Sequence, residues 1–566
     1  MWPIGLVVLL FIVVGRLGFQ PTDDGNLLAQ TYRLLHGQAP HRDVIFARPM
    51  GSAFLHVLDF GVPLPLFEAA RLIGIAEIVA YSLLFAWLIL EASSANWRLA
   101  AALAAAASAL VNMHTFPLIG WYTTDGILLV ASGFVALSTG ERNERTYLRW
   151  IGLLLLGAAP LAKQSFFLAP VLGLAFVLWE DRSLDAGRRI RRVAAAAALL
   201  ATPAAAYGAM LVARGALRDF VDQVAGATTV WGGSFARAFG NGAARGRLFL
   251  LLGAVAAAFL TVWLVERARR RGRGASTGFA LLDLAIRMAL SGAVVWFIAS
   301  SHLAYRATWG LALIWAALLV VLLRAAVERT LDRAGVLVVA VGWMTSLSWG
   351  YEVPNLVAGT AAFYLLARAW RGARIPDLDA RRRRALYAAG LVTALAASAI
   401  VGATFMQARY RHPYGDRPAA ELTAMLANVS PDFGRIRTNR NTASYLSRLA
   451  SCVRSHPARW TAVLPDNPGI YPALRLRNPF PIDWMYYAET TGHEERIVQS
   501  ARRLDGDGHY LVLFETFRLT ALQETAPLPL ATISTPIYGG RLMREIRGAL
   551  HGTPFACGYF VGDYLP

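Results

Sequence analysis

The chain has 566 residues, of which 56% are hydrophobic and only 16% charged, and its mean hydropathy is +0.44. A water-soluble protein of 61.5 kDa cannot cover itself with so little polar surface, so soluble enzymes and binding domains are excluded. The formal net charge of +19 does not point to nucleic acid, because most arginine clusters lie in short loops between apolar runs and no stacking motif or recognition helix accompanies them.

Apolar runs of about 18–22 residues, each able to cross a hydrocarbon core of roughly 30 Å, recur along the chain. About thirteen spans are predicted, at 3–19, 66–90, 98–116, 123–140, 148–162, 165–180, 193–213, 246–265, 278–300, 307–327, 334–350, 354–370 and 385–406. The first run carries no basic flank and no A-x-A-like site, and reads as a retained helix, not a cleaved signal. The basic loops 140–149, 180–192, 266–274 and 371–384 all fall on one side of this count. The positive-inside rule makes that side cytoplasmic and carries the C-terminal part across. The arginine- and alanine-heavy usage suggests a GC-rich bacterium, so a multi-pass inner (plasma) membrane protein is expected, with a cytoplasmic N-terminus and a periplasmic C-terminal part.

Residues 20–63 form the first outer loop, and its opening, "DDGNLLAQTYRLLHG", has apolar positions 27, 28, 34 and 35 that predict a helix lying along the membrane surface. Asp23 and Asp24 begin it. A helix needs one carboxylate as a cap, and a second beside it adds repulsion, so at least one of the two is assigned a chemical task. A partly desolvated carboxylate beside another anion has a raised pKa, which suits a general base acting near neutral pH. Further along the loop, His41, Arg42, Asp43 and Arg48 are weaker candidates for holding an acceptor or a sugar. The third run ends in "NMHTFPLIGWYTTDG", where His114 joins those weaker candidates and Asp125 is expected to bring a third carboxylate to the face and depth of Asp23 and Asp24.

Lys163, in "GAAPLAKQSFF", is the only lysine in a chain with 55 lysines and arginines together. A compact ammonium inside an apolar stretch must be paired, and it suits a phosphate oxygen as a point charge. Arg306 and Tyr351 are candidates for the same phosphate, and Glu352 for the sugar or acceptor. There is no P-loop and no HExxH or CxxC, so neither a nucleotide nor a zinc site is indicated. A divalent cation, Mg²⁺ or Mn²⁺, on Asp23, Asp24 or Asp125 stays open, and no other cofactor is expected.

From Gln407 the composition turns polar, which divides the chain into a transmembrane domain at 1–406 and a soluble α/β domain at 407–566. Strand-like runs at 459–465 and 509–517 alternate with helical patterns at 418–427 and 441–454. Cys452 and Cys557 both lie there, and a disulfide and two buried thiols both remain open.

"TDDGNLLAQTYRLLHGQAPHRD" after the first span, Asp125 after the third, "LAKQSFF" near the fifth and an outer domain after the last helix together resemble the GT-C superfamily of membrane glycosyltransferases. That superfamily includes protein O-mannosyltransferases, lipid A aminoarabinose transferases and mycobacterial arabinofuranosyltransferases. The resemblance implies a polyprenyl-phosphate sugar as donor and inverting transfer to a hydroxyl of an envelope glycan, lipid or protein on the outer face. Asp23 or Asp24 would be the base, and Lys163, with Arg306, would stabilise the departing phosphate. Relatives more often carry Asp-Glu or Glu-Asp, so Asp-Asp leaves both residues as candidates. The competing class is a transporter or flippase of lipid-linked or anionic substrates, which would gather charge near the bilayer midplane in repeated halves. No such repeat is visible.

Overall fold

The computed structural model describes residues 2–91, 98–114, 118–225, 277–303, 309–347, 354–371 and 380–566. The predicted span 246–265 lies outside them, as do Arg306, Tyr351 and Glu352. Every other predicted run holds a helix among its described residues, although the first, 3–19, is helical only to Val13. The helices are α1 (Trp2–Val13), α2 (Asp23–Leu35), α3 (Gly51–Leu55), α4 (Leu66–Glu91), α5 (Arg98–Met113), α6 (Tyr122–Arg142), α7 (Thr146–Ala162), α8 (Leu168–Glu180), α9 (Ala186–Ala213), α10 (Thr277–Ser300), α11 (Trp309–Val327), α12 (Arg333–Leu347), α13 (Ala358–Trp370) and α14 (Ala380–Arg411).

Among the described residues, five helices are long and apolar enough to cross a membrane (α4, α6, α9, α11 and α14) and six more are apolar but shorter. By length and composition the chain is therefore a helical membrane protein, and five of the roughly thirteen spans read from the sequence are matched by helices of full crossing length among the described residues. Helix α14 argues this most directly. Only 6% of its apolar window is buried within the protein, and an apolar surface of that length belongs in lipid.

Among the described residues, ion pairs join the basic loops at 140–149 and 180–192 to one another and to the start of α12, at one end of the bundle. Arg192 at the start of α9 pairs with Asp181 at 2.6 Å and with Glu141 at 3.2 Å, Arg333 pairs with Glu180, and Arg368 reaches Asp332 at 3.3 Å. The starts of α2 and α6 and the break between α7 and α8 lie at the other end.

The polar C-terminal part contains α15 (Arg440–Ser455), α16 (Ile470–Leu474), α17 (Tyr487–Thr490), α18 (Glu494–Asp507) and α19 (Gly540–Gly548). Two short strands, β1 (Ala424–Met425) and β2 (Arg437–Thr438), pair with each other. Strands β3 (Trp460–Leu464), β4 (Tyr510–Glu515), β5 (Thr553–Cys557) and β6 (Phe560–Leu565) form a sheet in the order β3-β4-β6-β5, with β3 and β4 parallel and the other pairs antiparallel. Alternation along β4 separates two cores. Tyr510, Val512 and Phe514 face α18 and α19, whereas Leu511 and Leu513 face α15 together with Leu28 of α2 and Phe67 of α4. The second core is thus shared with the membrane part.

The helical pattern expected at 418–427 is not a helix. Pro418 starts only a single 3₁₀ turn, and Ala424 and Met425 pair with Thr438 and Arg437, so strand pairing overrides the local periodicity.

Two glycines set how closely the parts approach. A Cβ on Gly25 would lie 2.0 Å from the Cα of Gly469, so α2 and the turn before α16 meet backbone to backbone. Buried Arg33 of α2 then pairs with Asp483 at 2.6 Å. Cys452 of α15 is disulfide-bonded to Cys557 of β5, which decides between the two readings left open above.

The bond closes a loop of 105 residues. Cys452→Ser is expected to lower stability by about 2–5 kcal/mol in thermal unfolding, and a maleimide should label the native protein only after reduction.

Candidate functional site at the start of helix α2

The two aspartates at the start of α2 separate into different roles. Asp24 Oδ1 accepts from Arg71 of α4 at 2.7 Å, and its Oδ2 accepts the Gln20 N–H at 2.7 Å. Gln20 Oε1 in turn accepts the Asp23 N–H at 2.5 Å, a reciprocal cap. Asp24 and Arg71 are both buried, so this carboxylate is spent on an ion pair and a cap. Asp23 is half-buried, and its carboxylate accepts only from Tyr414, at 2.5 Å, among the side-chain bonds seen there. Burial pushes the Asp23 carboxyl up to about 6 against that hydrogen bond, and the negative charges of Asp24 and Glu489 add to the rise.

Arg48 comes from the extended part of the first loop and grips Glu489 of α17 with two bonds, at 2.9 and 2.6 Å. Its guanidinium also lies over the rings of Phe46 and Tyr122, 5.4 and 5.3 Å from their centroids. Glu489 and the charge of nearby Asp23 hold Arg48 above its usual pKa, although burial opposes them. Lys163 caps α7 in an extended conformation and is buried, with Nζ donating to Thr123 Oγ1 at 2.8 Å. Asp23 and Lys163 both lie within electrostatic reach of the Arg48–Glu489 pair. Tyr122, at the start of α6, donates to Gln30 of α2 at 2.7 Å and closes this group.

Asp23, Arg48 and Lys163 are thus electrostatic neighbours, and other candidates lie apart from them. Asp125 does not join Asp23 and Asp24 in one carboxylate group. One helical turn beyond Tyr122, it meets His56 Nε2 at 3.2 Å, and Glu77 of α4 approaches the same nitrogen at 3.8 Å. His56 Nδ1 faces Asp59 at 3.0 Å. Asp23, Asp24 and Asp125 therefore do not form a metal set. Among the described residues, the His/Asp/Glu group with ligand spacing is His56, Glu77 and Asp125.

His41 is fully buried between Gln223 and Tyr207, at 2.9 Å from each, and burial lowers its pKa to about 4 despite the Gln223 bond. It anchors the first loop to α9 and carries no charge to offer a ligand. Arg42 and Asp43 pair with each other on an exposed turn, where Asp43 caps the Ala39 N–H at 2.7 Å. His114, at the end of α5, bonds the Val111 carbonyl of its own turn. These four residues lie outside the Asp23 group.

Sequence reasoning missed Glu489, Tyr414, Arg71 and the His56 cluster. Glu489 ends the stretch "YPALRLRNPFPIDWMYYAE", whose arginines and aromatics draw attention away from its two acids, Asp483 and Glu489. Arg71 sits in an apolar span, where any ionisable residue is a functional signal in itself.

Compared with known proteins, the chain matches no family model and no curated sequence.

The division of labour between the acids predicts two different mutant phenotypes. Asp24→Asn strips a buried guanidinium of its carboxylate and should cost about 3–5 kcal/mol, seen as a lower unfolding temperature. Asp23→Asn removes a carboxylate whose charge burial disfavours, while its amide oxygen still accepts from Tyr414. Its unfolding temperature at pH 7.5 should equal or exceed that of the parent.

Proposed function

We propose that the chain is an inverting membrane glycosyltransferase of the GT-C kind, moving a sugar from a polyprenyl-phosphate donor to an acceptor hydroxyl at the outer end of the bundle. The observation that carries this reading is that a carboxyl with a pKa of about 6, Asp23, and a buried lysine, Lys163, are electrostatic neighbours of the same Arg48–Glu489 pair. A base and a cation facing one reaction centre suit displacement of a phosphate by a hydroxyl.

In this reading the Asp23 carboxylate takes the proton of the acceptor hydroxyl as its oxygen attacks the anomeric carbon. The bond from that carbon to the phosphate oxygen breaks, and polyprenyl phosphate leaves with the electron pair. Lys163 balances the charge that builds on the leaving phosphate, and no general acid is required. Arg48, held by Glu489, positions the group instead of donating a proton. Arg306 and Tyr351, placed by the sequence among outer-edge polar clusters, would add contacts to the same phosphate.

The orientation follows the same reading. The basic end faces the cytoplasm, and the disulfide between Cys452 and Cys557 suits an oxidising compartment for the C-terminal part. A transporter would draw support from charge near the bilayer midplane, whereas the acids and the lysine of this site gather at one end.

Because the base must be ionised, kcat/KM should rise tenfold per pH unit up to about 6 and level off above it. Asp23→Asn should reduce transfer by roughly 10²–10⁴-fold and abolish that limb. Native mass spectrometry of Lys163→Ala should show loss of bound polyprenyl phosphate. A folded Asp23→Asn protein with full transfer activity would overturn the assignment of the base.

A further inference from the structure

The cluster of His56, Glu77 and Asp125 is chemically distinct from the Asp23 group and is not used by the mechanism above. His56 lies in the 3₁₀ turn His56–Gly61, Glu77 in α4 and Asp125 in the first turn of α6, so three separate elements converge on one point. His56 and Asp125 are each 1% exposed. One ligand atom from each of the three residues lies within 4.8 Å of the other two. Asp125 Oδ2 and Glu77 Oε2 are both buried and find no hydrogen-bond donor, which is costly for a carboxylate out of water.

The imidazole faces the other oxygen of each carboxylate, Asp125 Oδ1 and Glu77 Oε1, and leaves those two unpaired. Asp59 holds Nδ1 at 3.0 Å from both of its oxygens, the arrangement in which a carboxylate fixes a histidine tautomer and turns the other nitrogen towards a metal. Nε2 then points at Asp125 and Glu77, at 3.2 and 3.8 Å. A tetrahedral ion with bonds of about 2.0–2.1 Å separates its ligands by roughly 3.3–3.5 Å, within reach of these spacings. Gly120 backs closely on the ring, where a Cβ would lie 1.9 Å from His56 Cε1.

We infer that His56, Glu77 and Asp125 bind one divalent first-row cation, Zn²⁺ in the first place, with Asp59 orienting the imidazole. One nitrogen and two carboxylate oxygens form a mixed donor set that zinc and manganese accept, and a 2+ ion neutralises the two coordinating carboxylates. The ion would tie the first loop to α4 and α6 and so fix Tyr122, one turn before Asp125, against Gln30. This inference does not rest on the transferase reading, and its test reads binding instead of turnover.

The test uses full-length protein in detergent, stripped with a chelator and titrated with Co²⁺, whose visible absorption reports coordination. About one equivalent should bind and be displaced by Zn²⁺, with the unfolding temperature rising on loading. His56→Gln and Asp125→Asn should abolish the signal, and Asp59→Asn should weaken binding by roughly 10–100-fold. Asp43→Asn, on the exposed turn, should bind like the parent. Folded parent protein that takes up neither Co²⁺ nor Zn²⁺ at about 1 mM would show that the cluster shares protons instead, and would overturn the proposal. Binding that persists in both folded His56→Gln and folded Asp125→Asn would overturn it equally.

Discussion

Arg71 is the residue on which the outer end of the molecule depends. From inside α4 its guanidinium donates to the carbonyls of Gly15 and Gly18, at 3.0 and 2.6 Å, and to Asp24. One buried cation thereby joins the end of α1, the start of α2 and the body of α4. Its planar fork can serve three acceptors at fixed angles, which a lysine could not do. Helix α2 is then held by a second buried pair, Arg33 with Asp483, and by backbone contact at Gly25. The surface helix is thus fixed from both sides, and the half-buried position of Asp23 follows from that.

The outer end holds two polar clusters of different electrical character. Around Asp23, acids and bases alternate, with Arg48 and Lys163 set against Asp23 and Glu489. Around His56, three carboxylates face one imidazole. Tyr122 belongs to the first cluster and Asp125 to the second, and they sit one turn apart on α6. A helix that begins at this depth places the two clusters side by side without mixing them, because residues three apart share a face while each reaches its own partners.

Much of the fold was legible in the sequence because its signal is local. Apolar runs marked the helices, and short β-branched and aromatic runs marked β3 and β4 almost to the residue. Lys163 stood out by being the only lysine. The partners were not legible, because they come from far along the chain: Arg48 meets Glu489 across 441 positions, and Arg33 meets Asp483 across 450. Nor could spacing divide Asp23 from Asp24. That division rests on Arg71 and Gln20, one outside the motif and one just ahead of it. Asp125 was placed by depth alone, and depth does not say that His56 lies nearer. The expected helix at 418–427 failed for a related reason, since β1 is defined by a partner strand and not by its own pattern.

The contact between Arg48 and Glu489 also bears on how the protein is made. Arg48 emerges early in synthesis and its carboxylate partner nearly at the end, so the pocket around Asp23 stays open to water until the last portion of the chain has folded and docked. During that interval Asp23 is an ordinary solvated acid. Docking of the C-terminal part brings Tyr414 and Glu489 to Asp23 and completes the surroundings that raise its pKa, so an unfinished chain has every residue of the first loop and none of that environment.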